Sequence, residues 1–267
     1  MTSDSRFANR WFWICGATSG IGFAVAEEMA SRGASLVLMA RHKENLQTTA
    51  TTLKKIGASN ILLAPLDIAH PDTPHMALNL ISRKQTLAGI LLNGGGPPGL
   101  RAGAIKANDI ASAHNLLLSG PVLLLEALLP RLESPGGSVV AITSTTVKQS
   151  NPDLVLSAAY RSGLVAYLKH LSSEVGPRGI RINNVAPGFT ETDRLNELGC
   201  HIAKTGLKLN TEAALEQVRQ KWRESAALKR MAKPTEIATV CRFLFSEDAS
   251  FITGQTIVAD GGQIQSY

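Results

Sequence analysis

Cys15-Gly16-Ala17-Thr18-Ser19-Gly20-Ile21-Gly22 is the stretch on which the reading of this chain turns. It follows a short apolar run, residues 12–15, and opens a helical pattern over residues 23–32 that Gly33 stops. Glycines at a strand-to-helix junction allow a tight turn and let the backbone approach a pyrophosphate closely. The helix start then offers unpaired N–H groups and a positive dipole end to the anion. An ordinary strand–helix turn also uses glycine, but three glycines in this context point to a phosphate cradle. Gly16, Thr18, Ser19, Gly20, Ile21 and Gly22 are therefore expected to hold a dinucleotide.

The same alternation continues outward. Apolar runs at 35–40, 61–65, 89–92, 138–143, 181–186 and 256–259 read as strands. Helical patterns fall at 43–56, 75–84, 109–129, 157–175 and 234–245. Strands and helices in alternation predict βαβ units, hence an α/β fold: one doubly wound (Rossmann) domain over residues 1–267, with a parallel sheet and helices on both faces. Residues 191–225 are polar and helical in composition and sit between two strand-forming segments, so they are expected to form an inserted substrate lid. The aliphatic bias agrees with a parallel sheet: 44% of the 267 residues are hydrophobic and only 5% aromatic.

Charge and cysteine usage narrow the function classes. The net charge of +6 is spread along the chain without a basic run, which argues against a nucleic-acid partner. Cys15, Cys200 and Cys241 show no metal or redox spacing, and the six histidines none either, so no metal is expected. Free thiols and the lack of a visible secretory signal imply a cytoplasmic protein. The leucine-rich run 122–129 is interrupted by Glu126 and bracketed by Pro121 and Pro130, so no membrane span is expected.

The Gly-x-x-x-Gly-Ile-Gly spacing resembles that of the short-chain dehydrogenase/reductase family, and further matches run in order along the chain. Asp67-Ile68 is similar to the family's adenine-contacting pair. Leu92-Asn93-Gly94-Gly95 is similar to its Asn-Asn-Ala-Gly turn. Asn183-Asn184-Val185-Ala186-Pro187-Gly188 is similar to the segment that lines the nicotinamide, with Thr190 and Thr192 beyond it. Pro234-Thr235-Glu236-Ile237-Ala238, Phe251-Ile252-Thr253-Gly254-Gln255 and Asp260-Gly261-Gly262 complete the likeness. It implies that Asp67, Ile68, Asn93, Gly94, Pro187, Gly188, Thr190 and Thr192 contact the cofactor. The second strand ends in Ala40-Arg41, where an NAD-binding fold usually carries an acid. Arg41 is either a reader of a 2′-phosphate, which makes the cofactor NADP(H), or a surface cation starting the next helix.

At the catalytic positions the family pattern breaks. Ile142-Thr143-Ser144 fits the strand end bearing the family's serine. Counting back from Ser162-Gly163-Leu164 places Ser157 and Arg161 where the family has its Tyr and Lys, and Leu117 where it has an Asn. A serine is a far weaker acid than a phenol, while Arg161 retains a charge able to hold the ribose. Tyr160 lies nearly on the face of Ser157, one turn on. It is either a displaced acid or a residue packing at a subunit contact. The chain resembles a branch likened to 3-oxoacyl-acyl-carrier-protein reductases, with Val147-Lys148-Gln149 and a Gly-Gly-Pro-Pro-Gly loop at 95–99 that is expected to border the site.

Two functions remain open at this level. One is an NADP(H)-dependent oxidoreductase acting on a small-molecule or acyl carbonyl substrate through Ser144, Ser157, Tyr160 and Arg161. The other is a non-catalytic dinucleotide-binding subunit with a regulatory or structural role. In the family the long apolar helix forms a dimer contact, so a homo-oligomer, dimer or tetramer, is implied.

Overall fold

The computed structural model describes residues 6–205 and 211–266. Seven strands form one parallel sheet: β1 (Trp11–Cys15), β2 (Ser35–Ala40), β3 (Ile61–Pro65), β4 (Gly89–Leu92), β5 (Ser138–Ile142), β6 (Arg181–Pro187) and β7 (Thr256–Ala259). Their spatial order is β3-β2-β1-β4-β5-β6-β7, each pair parallel. The central strands have no polar face, because both faces are covered.

Period-two alternation splits each strand between two cores. Phe12, Ile14, Leu36, Leu38, Val140 and Ile142 point to one side and meet α1 (Gly20–Ala30), α2 (Lys43–Ile56) and α9 (Pro234–Phe245). Trp13, Cys15, Val37, Met39, Val139 and Ala141 point to the other. There they meet α3 (Thr73–Leu80), α5 (Gly120–Leu128) and α6 (Val155–Val175). Each fully buried aliphatic side chain contributes roughly 1.5–3 kcal/mol, so both layers are needed to hold the sheet.

Two helices depart from expectation. The third starts at Thr73 instead of residue 75, because Pro74 takes the first turn, and the chain turns extended at Ile81 instead of running to 84. The long helix expected over 109–129 is instead α4 (Ala107–His114), a π turn (Asn115–Ser119), α5, and a closing 3-10 turn (Leu129–Arg131). The stretch Ala107–Arg131 is long and apolar enough by composition to cross a membrane, with mean hydropathy 1.4. Here Leu124, Leu125 and Leu128 are buried against the sheet.

The insertion carries α7 (Asp193–Thr205) and α8 (Glu212–Ser225); part of it, 206–210, lies outside the described residues. It has a core of its own in which Leu198, Ala214, Val218 and Trp222 are buried. Phe189 stacks on Trp222, with ring centroids 4.9 Å apart. Its two ends are tied where the Ala232 N–H donates to the Phe189 carbonyl and the Glu191 N–H to the Ala232 carbonyl, both at 2.9 Å. The excursion is thereby held over the ends of β4, β5 and β6.

Candidate active site

The chain runs outward from β1 to β2 and β3, then returns to β4 on the other side of β1. The crevice between the carboxyl ends of β1 and β4 is where open α/β sheets bind ligands. On the β1 side, Gly16 and Gly20 adopt φ of +64° and +54°. A Cβ on Gly22 would fall 2.1 Å from the Gly16 carbonyl oxygen, so glycine is required for the helix to approach the turn. Ser19, extended just before α1, makes no side-chain cap, and the first turn of α1 holds no acidic residue. Its amides are left for an anion. From the β4 side, Asn93 Nδ2 donates to the Cys15 carbonyl at 3.3 Å and locks the two loops together.

A cavity of about 300 Å³ opens from this turn over the ends of β4, β5 and β6. Of the expected cofactor residues it brings together Gly16, Ser19, Gly20, Ile21, Asn93, Gly94, Pro187, Gly188, Thr190 and Thr192. Thr18 and Gly22 stand behind it. Arg41, exposed one residue past β2, lies beyond it toward the β2–β3 end of the sheet, as do Asp67 and Ile68. The Asp67 carboxylate accepts the Ala69 N–H at 3.0 Å, and Ile68 is buried under α5.

Ser144, Ser157 and Arg161 share the cavity wall. Arg161 is 8% exposed. Its Nε donates to Ser157 Oγ at 3.2 Å, Nη1 to the Ile142 carbonyl at 2.7 Å and Nη2 to the Gly95 carbonyl at 3.2 Å. Burial, aided by the nearby Arg194 charge, pushes the guanidinium down to about 10, which still leaves it protonated at neutral pH. Desolvating a cation costs several kcal/mol. Three charge-assisted bonds of about 1.5–3 kcal/mol each offset that cost.

Hydrogen-bond capacity then sets the serine roles. A hydroxyl offers one proton and two acceptor lone pairs. Ser157 accepts from Arg161, and Ser144 accepts the Thr146 N–H at 3.2 Å. Neither hydroxyl has a protein acceptor for its own proton among the described residues, so both O–H groups are free to point at a substrate oxygen. Tyr160 is placed elsewhere: its ring meets His114 edge-on, with centroids 5.7 Å apart, and it does not line the cavity. Leu117 is buried in the π turn, Lys148 is exposed, and Lys169 donates to the Gly254 carbonyl. No tyrosine, lysine or histidine is among the described residues lining the cavity.

Among the lining residues not singled out from the sequence are Thr146, Phe189, Arg194 and Gln263. Gln263 had a signal, since it follows the recognised Asp260-Gly261-Gly262 turn. The Asp260 carboxylate accepts the N–H groups of Gly262 and Ile264, and Gln263 Oε1 accepts the Phe189 N–H at 3.1 Å.

The sheet order, the cradle and the cavity define a dinucleotide-binding protein. A family model described as Enoyl-(Acyl carrier protein) reductase matches residues 16–263, and the chain belongs to the short-chain dehydrogenase/reductase family. It is 27% identical over 256 residues to 3-oxoacyl-[acyl-carrier-protein] reductase FabG of Chlamydia trachomatis, covering 95% of this chain and 97% of that one. It is 30% identical over 253 residues to Carbonyl reductase family member 4 of Danio rerio, covering 93% and 95%. The L-sorbose reductase of Gluconobacter frateurii, solved in complex with NADPH and L-sorbose, aligns with a TM-score of 0.88 at 25% identity, covering 99% of this chain and 100% of that one.

Lysine cannot span the three acceptors that Arg161 reaches with its planar fork. Arg161→Lys is expected to lose one or two charge-assisted bonds, about 2–4 kcal/mol, and to lower Tm by about 5–15 °C. Calorimetry checks this, and an unchanged Tm would show that a compact ammonium can replace the fork.

Proposed function

We propose that this chain is an NADP(H)-dependent oxidoreductase interconverting a carbonyl and an alcohol. The observation that carries the reading is the pair of serine hydroxyls, Ser144 and Ser157, with unclaimed protons on one cavity wall and a phosphate cradle at the other end. The uncapped amides of α1 and the Cβ-free approach of Gly16, Gly20 and Gly22 fit a pyrophosphate. Arg41 suits a 2′-phosphate, and the sorbose reductase with NADPH supports that choice. Asp67, Ile68 and Thr18 would flank the adenine half. Asn93, Gly94, Pro187, Gly188, Thr190 and Thr192 would flank the nicotinamide half.

When bound, NADP(H) supplies or accepts the hydride. Ser144 and Ser157 then donate to the substrate oxygen and hold it in place. Arg161, directly behind Ser157, stabilises negative charge developing on that oxygen in a site where few waters compete. Ser157 would relay to that oxygen a proton drawn from bulk solvent, through water at the cavity mouth that exchanges the resulting hydroxide with the bulk. Water suits this step better than Tyr160, whose ring is engaged by His114. The α7–α8 insertion acts as the cap over a small-molecule or acyl carbonyl substrate. The absence of tyrosine and lysine among the described lining residues supports the second reading, a cofactor-binding subunit without turnover.

We also propose a homo-oligomer, dimer or tetramer, in the cytoplasm. Ile110 and Leu123 leave the α4–α5 face apolar, and Phe243, Phe251 and Val258 do the same around the edge strand β7. The buried free thiols of Cys15 and Cys241 suit a reducing compartment. Sedimentation should show a species of at least twice the 28.4 kDa chain mass; a monomer at micromolar concentration would remove this assignment.

Two measurements test the function. In a fluorescence titration, Arg41→Glu should weaken NADPH binding by about 10–100-fold, the worth of one or two charge-assisted bonds, and leave NADH binding unchanged or tighter, since a carboxylate there can accept the ribose 2′-hydroxyl. Equal effects on both cofactors would return Arg41 to the role of a surface cation. In a carbonyl screen followed by NADPH consumption, Ser144→Ala should lower kcat by about 100-fold or more with NADPH affinity retained. Tight NADPH binding without turnover of any carbonyl would instead establish the non-catalytic subunit.

A further inference from the structure

Two guanidiniums grip one glycine loop at the substrate end of the cavity. Arg161, from α6, holds the Gly95 carbonyl, and Arg194, from the first turn of α7, holds the Pro97 carbonyl. Gly96 lies between them, and a Cβ there would fall 3.2 Å from Arg194 Nε. The Arg194 charge, on a side chain 41% exposed, is felt by the buried Arg161 across this loop. All three acceptors of Arg161 are neutral. Glu197 pairs with Arg194 at 3.0 Å, but with 67% of its side chain exposed it lies on the solvent side. Asp193, the remaining acid on the cavity wall, is exposed and forms no ion pair with either guanidinium. A second observation points the same way. Thr146 is 7% exposed, lines the cavity, and its Oγ1 has no hydrogen-bond partner.

A buried hydroxyl without a partner and a buried cation bonded only to neutral acceptors both favour the arrival of an acceptor-rich group. Arg194 itself is directed at the loop after β4. Thr192, two residues before Arg194, is the residue whose Cγ2 comes within 3.2 Å of a Cβ placed on Gly20 of the cradle, whereas Arg194 faces Gly96 and Pro97. The space beyond the nicotinamide is also small, since the 300 Å³ is shared with the cofactor's share of the wall. Leu154, Leu195 and Leu198 make the rest of that end apolar.

We propose that the substrate is a short oxoacid or hydroxyacid whose carboxylate is received by Arg194 and Thr146, while its reacting oxygen sits between Ser144 and Ser157. This rests on the oxidoreductase reading of the same cavity and narrows it to anionic substrates. A guanidinium fork matches a carboxylate in two parallel hydrogen bonds. Arg161 stays committed to Ser157 and the two backbone carbonyls and adds long-range attraction.

The test uses the protein loaded with NADP+, so that added oxoacids bind without being reduced. Acetoacetate and levulinate are titrated against their methyl esters by tryptophan fluorescence. At least one acid should bind tenfold or more tighter than its ester. Arg194→Gln should erase that preference and Arg194→Lys keep part of it, with NADP+ affinity unchanged within twofold in both. Esters binding as well as the acids, or neither acid binding, would overturn the proposal. So would an Arg194→Gln loss that is as large for NADP+ as for the acid. Selective acid binding without reduction when NADPH replaces NADP+ would uphold the anion site and remove the oxidoreductase reading alone.

Discussion

The strand order reverses between β1 and β4, and the open edge of the sheet is organised by that reversal. A parallel sheet covered on both faces leaves its backbone few unpaired groups except at strand ends. Where two neighbouring strands send their chains in opposite directions, those ends separate and a crevice forms. The Gly16–Gly22 turn fills one side of it with bare amides. The loop after β4 fills the other, and Asn93 holds the two at a fixed spacing. The residues proposed to touch cofactor or substrate follow the carboxyl ends of strands on both sides of this point or sit on the helices α6 and α7.

Arg161 is the second organising element of the site. A single guanidinium ties the end of β5, the loop after β4 and the helix α6 together. It is buried without a carboxylate, so its charge is felt in the cavity instead of being cancelled. By occupying an acceptor lone pair of Ser157 it directs the serine proton outward.

Much of this was legible in local sequence. The strands lay within about a residue of their expected bounds, because short aliphatic runs between glycine stops have few other readings. The cradle was legible because glycine spacing is a direct demand of backbone geometry. Counting from Ser162-Gly163-Leu164 singled out Ser157 and Arg161, and the strand end Ile142-Thr143 singled out Ser144; the three line one cavity. The π turn at Asn115–Ser119 was not, since one extra residue in a helical turn leaves no mark in an apolar pattern. Nor was the start of α3 at Thr73, although Pro74 carried the signal.

The sequence by itself determined the class of fold and the phosphate cradle, since each is written in residues close together along the chain. Only the tertiary structure decided which side chains face one another. It set Tyr160 against His114 and away from the cavity, turned the Arg161 fork onto Ser157, Ile142 and Gly95, and brought Arg194 across nearly a hundred residues to Pro97. The physical reason is that backbone conformation follows from local sterics and hydrogen-bond demand. The direction of a long polar side chain is instead chosen by whichever acceptors the folded chain carries within its reach.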